Sequence, residues 1–435
     1  MTRNPLTLKF RRAWQNLELL PLLTAEEMAE FWVEYQQETV EDIELLIENS
    51  ASRNKKIVLT GHVGCGKSTL LNTVRHRLRD EYFVVFFSIA DVIELSDVNH
   101  VNILFAIAVM MMEEAEKPGN QIKIKPEVKE GFYKWFAEET KTTIEEYKAS
   151  VEGGFKFSGL LAWVKGVLQS SAIERRELKE KYERDISSLV KRVDLIATVI
   201  EEACGKDVFV IIDDIDKLTI NMVRDIFHTN VRNLFMPNFR MIMTVPIAML
   251  REKILMTALQ TAIPNSVIQM PISKFFHKED LESRQQDCEP DSHFVEPLKK
   301  ILLKRITWDL IEPEVATDLV LYSGGVVREL LRLANECCLI CLRLAKREPD
   351  NRDIKIDAAV FQKAVRNLRI DFEKRLGSKD YEILQKVYAE FQPEDTTQQE
   401  FLDLLNDLYV LEYENDRLWY DIHPIVMSLV AEEAT

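Results

Sequence analysis

Cysteine is scarce in this chain, with six in 435 residues, too few for a disulfide framework. Glycine (13) and proline (14) are just as sparse, which excludes collagen-like and low-complexity chains. Long apolar runs are missing as well. The two best, Phe83–Ile89 and Val101–Met112, fall short of the ~20 residues that a membrane span needs. The opening Met1-Thr-Arg-Asn-Pro carries no apolar signal core. Positive charge is in deficit: 56 Lys and Arg against 72 Asp and Glu leave a net of −16. That balance argues against a protein whose main task is wrapping nucleic acid. Together these absences predict a soluble, reduced, cytoplasmic protein with no call for membrane contact. What is present is ordinary globular material, 46% hydrophobic and 29% charged, enough for two to four domains at roughly 100–200 residues each.

The negative charge is unevenly placed. From Asp371 to the end there are 16 acidic and 5 basic side chains, a net of −11, which leaves −5 for the first 370 residues. The last stretch repels phosphate, while the rest is nearly balanced.

The strongest pattern is a phosphate loop. Lys55-Lys-Ile-Val-Leu-Thr60 is a short apolar run bounded by charge and reads as a buried strand. It runs into Gly61-His-Val-Gly-Cys-Gly-Lys-Ser68, which fits G-x-x-x-x-G-K-[ST]. Leu70, Leu71, Val74 and Leu78 then recur at helical spacing. Strand, glycine loop and helix form the context that the motif requires. Its glycines let backbone N–H groups curl around phosphate oxygens, and the helix start adds its positive dipole end. Gly61, His62, Val63, Gly64, Cys65, Gly66, Lys67, Ser68 and Thr69 are the candidate nucleotide-binding residues. Lys67 would reach the β- and γ-phosphates, and the Ser68 hydroxyl would ligate Mg²⁺. A second strand should then carry a carboxylate for the metal. Val208-Phe-Val-Ile-Ile212 followed by Asp213-Asp214 supplies it. Asp213 is the candidate Mg²⁺ ligand, and Asp214 sits where a base could polarise water.

These residues resemble an AAA+ P-loop ATPase. The nearest branch is the origin-recognition-like ATPases, shading into the signal-transducing, STAND-type NTPases of prokaryotes. The resemblance implies an α/β fold: a parallel-sheet core, a helical lid, a helical insertion and a C-terminal winged-helix-like domain. It divides the chain into a helical N-terminal segment (1–54), an ATPase core (55–275) with an insertion at about 117–185, a lid (290–370) and an acidic winged-helix-like domain (371–435). Thr244, at the polar end of Phe239–Pro246, matches the sensor-1 position. Ser266–Pro271 is the expected fifth strand. Gly324-Gly325 breaks the lid into two helices and places Arg328 in the first turn of the second, as a sensor-2 arginine on the γ-phosphate. Phe31–Tyr35 matches the region that packs near adenine. Two departures stand out. The second acid is Asp214 where vigorous motors carry Glu, which implies slow hydrolysis. No arginine stands just before the fifth strand, in Ile263-Pro-Asn-Ser266, so an arginine finger falls to Arg251, on an expected helix Ala248–Leu255, or to Arg232.

The insertion contains Gly131-Phe-Tyr-Lys-Trp-Phe136 and Val151–Leu168, which mixes apolar residues with Gly and Lys. It reads as a small helical subdomain packing Phe155, Leu160, Leu161 and Trp163, or as a partner-binding segment. Leu178, Tyr182 and Leu189 form one stripe after it, with Glu177–Lys181 and Glu180–Arg184 as ion pairs. In the tail, helices at Tyr381–Phe391 and Glu400–Leu408 precede a hairpin with its turn at Asn415-Asp416. The second helix holds Glu400, Asp403 and Asp407 and no basic residue, so it favours a protein partner over DNA. Cys337, Cys338 and Cys341 read as buried small hydrophobes and not as a zinc site. The resulting expectation is an ATP-hydrolysing switch, using ATP and Mg²⁺, whose nucleotide state controls self-assembly or a protein partner in a prokaryotic regulatory or defence system. The alternatives are a DNA-associated, origin-recognition-like loader or transposition regulator, and a scaffold that binds ATP without turnover and touches membrane through Phe155–Leu168.

Overall fold

A computed structural model of the chain describes residues 5–50, 52–117, 119–120, 122–139, 157–281, 288–414 and 417–431. The chain runs α1 (Pro5–Asn16), α2 (Ala25–Phe31), α3 (Gln37–Glu48), β1 (Lys56–Gly61), α4 (Lys67–Leu78), β2 (Tyr82–Ser88), α5 (His100–Glu116), α6 (Pro126–Glu139), α7 (Phe157–Ser170), α8 (Ala172–Glu183), α9 (Ile186–Cys204), β3 (Asp207–Asp213), β4 (Arg240–Pro246), α10 (Lys253–Ala262) and β5 (Val267–Gln269). It continues through α11 (Ser292–Leu303), α12 (Pro313–Tyr322), α13 (Val327–Arg347), α14 (Ala358–Glu373), α15 (Ser378–Glu390), α16 (Gln399–Asn406), β6 (Val410–Glu414), β7 (Leu418–Ile422) and α17 (Met427–Ala431). Two compact units result. One gathers residues 1–37, 61–70 and 269–435, and the other gathers 38–60 and 71–268.

The second unit holds the five-stranded parallel sheet, in the order β2-β3-β4-β1-β5. Every residue of β1 and β4 is buried, as is all of β3 after its first residue. Strands covered on both faces read as unbroken apolar runs, and for that reason their sequences were legible. The fifth strand is shorter than expected, Val267–Gln269 in place of Ser266–Pro271.

Helix α5 is apolar all round and buried along nearly its whole length, with Asn99 capping its N-terminus. It can be buried because the inserted helices cover it. Phe105 on α5 lies 5.4 Å from Trp135 and 5.7 Å from Phe136 on α6. Burying each such ring contributes roughly 1.5–3 kcal/mol. Arg175 on α8 is buried, pairs with Asp97 at 2.5 Å and donates to the Leu168 carbonyl at 2.7 Å. Phe132, Trp135 and Phe136 of the first insertion segment are therefore buried in the core. Phe155 lies outside the described residues. The expected single stripe through Leu178, Tyr182 and Leu189 is two helices, because Asp185 caps a new one at Ile186. Lys181 reaches Glu139 on α6 at 2.6 Å, and Glu180 meets Arg176 at 3.9 Å. The expected helix Ala248–Leu255 is a 3₁₀ turn (Ile247–Arg251) and then α10, broken at Glu252.

In the first unit α1 turns Phe10 and Ala13 inward, and α1 packs along α13. Cys337, Cys338 and Cys341 on α13 are buried, and burial pushes the Cys341 thiol up to about 12. They are neutral small hydrophobes at physiological pH, as expected. The tail folds as α15, α16, the antiparallel hairpin β6–β7 and α17, with Glu412 opposite Tyr420 and Tyr413 opposite Trp419. The expected turn at Asn415-Asp416 lies outside the described residues. Among the described residues no helix is long and apolar enough to cross a membrane.

His423, after β7, is fully buried, and its Nδ1 accepts the Ile425 N–H at 3.2 Å. Burial, helped by the Arg332 and His62 charges, pushes it from its ordinary 6.5 down to about 3. Above pH 6.5 the ring is neutral in both folded and unfolded chains and costs nothing. Between 6.5 and 3 only the unfolded chain takes up the proton, so stability falls as pH falls, by up to about 1.4 kcal/mol per pH unit. Urea unfolding from pH 7 to 4 should show a shallower loss for His423→Asn than for the parent chain. Equal slopes would contradict the assignment.

Candidate nucleotide site

The phosphate loop lies in the first unit. Gly61, Gly64 and Gly66 have φ of +150°, +81° and +114°, so the chain coils where side chains rarely allow it. At Gly64 the requirement is also steric. A methyl group there would lie 2.4 Å from Cβ of Arg328. Arg328 is the second residue of α13, and its N–H donates to the Gly64 carbonyl at 3.0 Å. The sequence placed Arg328 in the first turn of a helix after Gly324-Gly325, and the structure brings it directly onto the loop.

Lys67 starts α4 and is buried, with Nζ donating to the carbonyls of Gly61 (3.0 Å) and His62 (2.9 Å). Ser68 follows it in the first turn. The Thr69 hydroxyl accepts the Leu22 N–H at 3.1 Å. Val63 is half-buried and Cys65 fully buried. His62, a free position in the motif, is not a spacer here. Its Nε2 accepts the backbone N–H of Glu412 in β6 at 2.8 Å, and the Gln269 amide donates to the Glu412 carboxylate at 2.8 Å. The C-terminal hairpin therefore grips the phosphate loop. Nothing local in the sequence announces this contact, because its partner lies 350 residues away. Of the segment matched to adenine packing, Tyr35 is half-buried and accepts a hydrogen bond from the Ser273 hydroxyl at 3.3 Å. Burial raises the Tyr35 phenol, and the Cys65 thiol adds to the effect. Phe31 faces the Arg305 guanidinium at 5.0 Å.

The carboxylates lie in the second unit, at the end of β3. Asp213 and Asp216 are buried, and one oxygen from each of Asp213, Asp214 and Asp216 falls within 4.8 Å of the others. Hard divalent cations take such oxygen donors, so this set fits Mg²⁺. Asp214 has a left-handed backbone (φ 68°) directly after the strand. The Ser88 hydroxyl donates to it at 2.6 Å, and the Lys217 ammonium pairs with it at 2.7 Å. Thr244 is fully buried and donates to Asp216 at 3.4 Å. The structure thus joins Thr244 to the acidic group through Asp216, a residue that sequence reasoning missed. Its signal was there, a third acid two residues beyond the pair. Of the two arginine-finger candidates, Arg251 is half-buried in its turn and Arg232 is exposed.

The match to known families follows this layout. Residues 37–279 match the KAP family P-loop domain, a stretch that takes in the phosphate loop, the three aspartates and Thr244 and stops before Arg328. No curated protein matches the chain. Among solved structures, Cdc6p from Pyrobaculum aerophilum is similar at 12% identity and TM-score 0.39, over 94% of this chain and 99% of that one. The Orc1 protein of Aeropyrum pernix in complex with DNA is similar at 12% identity and TM-score 0.40, over 98% and 97%. RuvB from Thermotoga maritima is similar at 13% identity and TM-score 0.40, over 95% and 99%.

Proposed function

This chain belongs to the KAP family of P-loop domains, and from that premise we propose that it is an ATP-dependent switch that binds and slowly hydrolyses ATP. Lys67, Arg328 and the amides from Gly61 to Thr69 grip the phosphates. Ser68 and Asp213 hold Mg²⁺, which supplies charge neutralisation on the phosphates when bound, and Asp216 supports that ligand set. Asp214 and Thr244 orient the attacking water. Slow turnover follows from the short reach of an aspartate whose two oxygens already engage Ser88 and Lys217.

One observation carries the switch reading. The loop that would close on phosphates is held by α13 through Arg328 N–H and by the hairpin through Glu412 N–H. A phosphate drawing the loop amides and Lys67 toward itself disturbs both contacts, so nucleotide state passes to the C-terminal elements. The readout is self-association or a protein partner in the cytoplasm, through the acidic, winged-helix-like tail. The tail's α16 carries Glu400 and Asp403 and no basic residue, which supports protein over nucleic acid.

Asp214→Asn should bind ATP·Mg²⁺ with affinity within about threefold of the parent while phosphate release falls about 10²–10⁴-fold. Solution mass without nucleotide, with ADP and with ATP·Mg²⁺ then tests the switch, Lys67→Ala serving as the blank. A larger species only with ATP supports it. Undiminished turnover in Asp214→Asn would remove the assigned role.

A further inference from the structure

The second unit carries an open groove of about 610 Å³ between α10 and residues 228–232. One wall is built by a single π-helical turn, Asp225–Thr229, and the short helix Val231–Leu234 that follows it. Such turns are rare and recur at functional sites.

The groove is basic. His228, Arg232 and Lys253 line it, and among the described residues no acidic side chain does. None of the three takes part in a hydrogen bond or ion pair among the described residues. Thr257 and Thr261 turn their hydroxyls back onto the carbonyls of Lys253 and Thr257, at 2.8 and 2.7 Å, so the cations are the polar groups left for an occupant. Ile254 between them is 63% exposed. A small anion would leave that side chain in water, whereas an acidic protein surface covers it and meets the cations. Nucleic acid fits less well, because so few cations on a chain of net −16 offer it little counterion release.

The chain supplies such a surface itself. Its last stretch, from Asp371, holds 16 acidic and 5 basic side chains. On α16 and its C-cap, Asp403 and Asp407 are exposed, one helical turn apart, and in no ion pair among the described residues. Burial and the Asp403 charge raise the Asp407 carboxyl, with Arg375 acting against them. Like charges four apart destabilise a helix, and a facing cation relieves them. The spacing matches as well. Lys253, Thr257 and Thr261 recur every four residues along α10, as Gln399, Asp403 and Asp407 do along α16. Rows of that period interdigitate when two helices pack.

We propose that this groove docks α16 of a second copy of the chain, with Arg232 and Lys253 meeting Asp403 and Asp407. The inference rests on the self-association branch of the switch reading and names its surfaces.

Analytical ultracentrifugation of the full chain carrying Asp214→Asn, with and without ATP·Mg²⁺, tests the contact. At about 50 mM salt the chain should self-associate with Kd below about 100 μM, and about 500 mM salt should weaken this at least about tenfold. Groove reversal (Arg232→Glu with Lys253→Glu) and tail reversal (Asp403→Lys with Asp407→Lys) should each weaken it at least about tenfold. An equimolar mixture of the two reversed chains should regain the parent affinity within about threefold. If a reversed chain fails to fold, Arg232→Gln with Lys253→Gln or Asp403→Asn with Asp407→Asn stands in, and an unweakened neutral pair overturns the contact. So would a monomer in both nucleotide states, association that tail reversal leaves unchanged, or reversed chains that stay apart when mixed. Recovery on mixing that is indifferent to ATP upholds the contact and counts against the switch alone, so the two failures are distinguishable.

Discussion

Replacing Lys67 by alanine should weaken ATP binding by at least about 100-fold and bring phosphate release to background. The reasoning rests on what the ammonium does in each state. In the structure it is buried and satisfied by two backbone carbonyls, Gly61 and His62. Hydrogen bonds to charged groups are worth about 1.5–3 kcal/mol each, and two of them made to phosphate oxygens amount to roughly two to four powers of ten in affinity. The same truncation leaves the two carbonyls without their donor, so a stability loss of about 1–2 kcal/mol should accompany it. Fluorescent-nucleotide competition and a urea melt on one preparation separate the two effects. Affinity within about threefold of the parent would contradict the assignment of this loop to phosphate.

The second large effect falls on folding. Gly325→Ala should destabilise the first unit by at least about 3 kcal/mol. Gly325 has φ +82°, and a methyl group there would lie 1.9 Å from the Ser273 carbonyl oxygen, with the carbonyl carbon and amide nitrogen of Ser273 inside 3.0 Å. The neighbour is backbone, so no side chain can swing aside. The Ser273 N–H to Gly325 carbonyl bond, 3.3 Å, would be lost with it. Gly131 on α6 supplies the control, because nothing lies within 4 Å of a methyl group there. Gly131→Ala should be neutral or stabilise by about 0.5–1 kcal/mol, as in an ordinary exposed helix. Equal effects of the two substitutions in urea unfolding would sink the steric argument.

These contrasts show which features were legible in the sequence. The phosphate loop was, because strand, glycines, lysine and helix are contiguous and each residue type has a local reason. The sheet strands were, because burial on both faces writes itself as unbroken apolar runs. Arg328 was placed correctly by its distance from the Gly324-Gly325 break. Features fixed by distant partners were not legible. His62 carries the hairpin contact from a position that the motif leaves free, and only the fold reveals Glu412 opposite it. The packing partners of Phe132, Trp135 and Phe136 were not readable either, because the deciding fact is the location of α5. Asp185 and Glu252 break stripes that spacing alone would continue, because a cap or turn residue overrides periodicity locally. Asp216 was readable as a third acid two residues beyond the Asp213-Asp214 pair.

The central claim is that phosphate at the loop releases the hairpin, and the Glu412 amide is its most direct reporter. Amide hydrogen exchange at Glu412 in the Asp214→Asn chain, with and without ATP·Mg²⁺, measures that contact. The account predicts at least about tenfold faster exchange at Glu412 with ATP bound, while Phe401–Leu405 in α16 stays unchanged. Unaltered exchange at Glu412 with ATP demonstrably bound would contradict it.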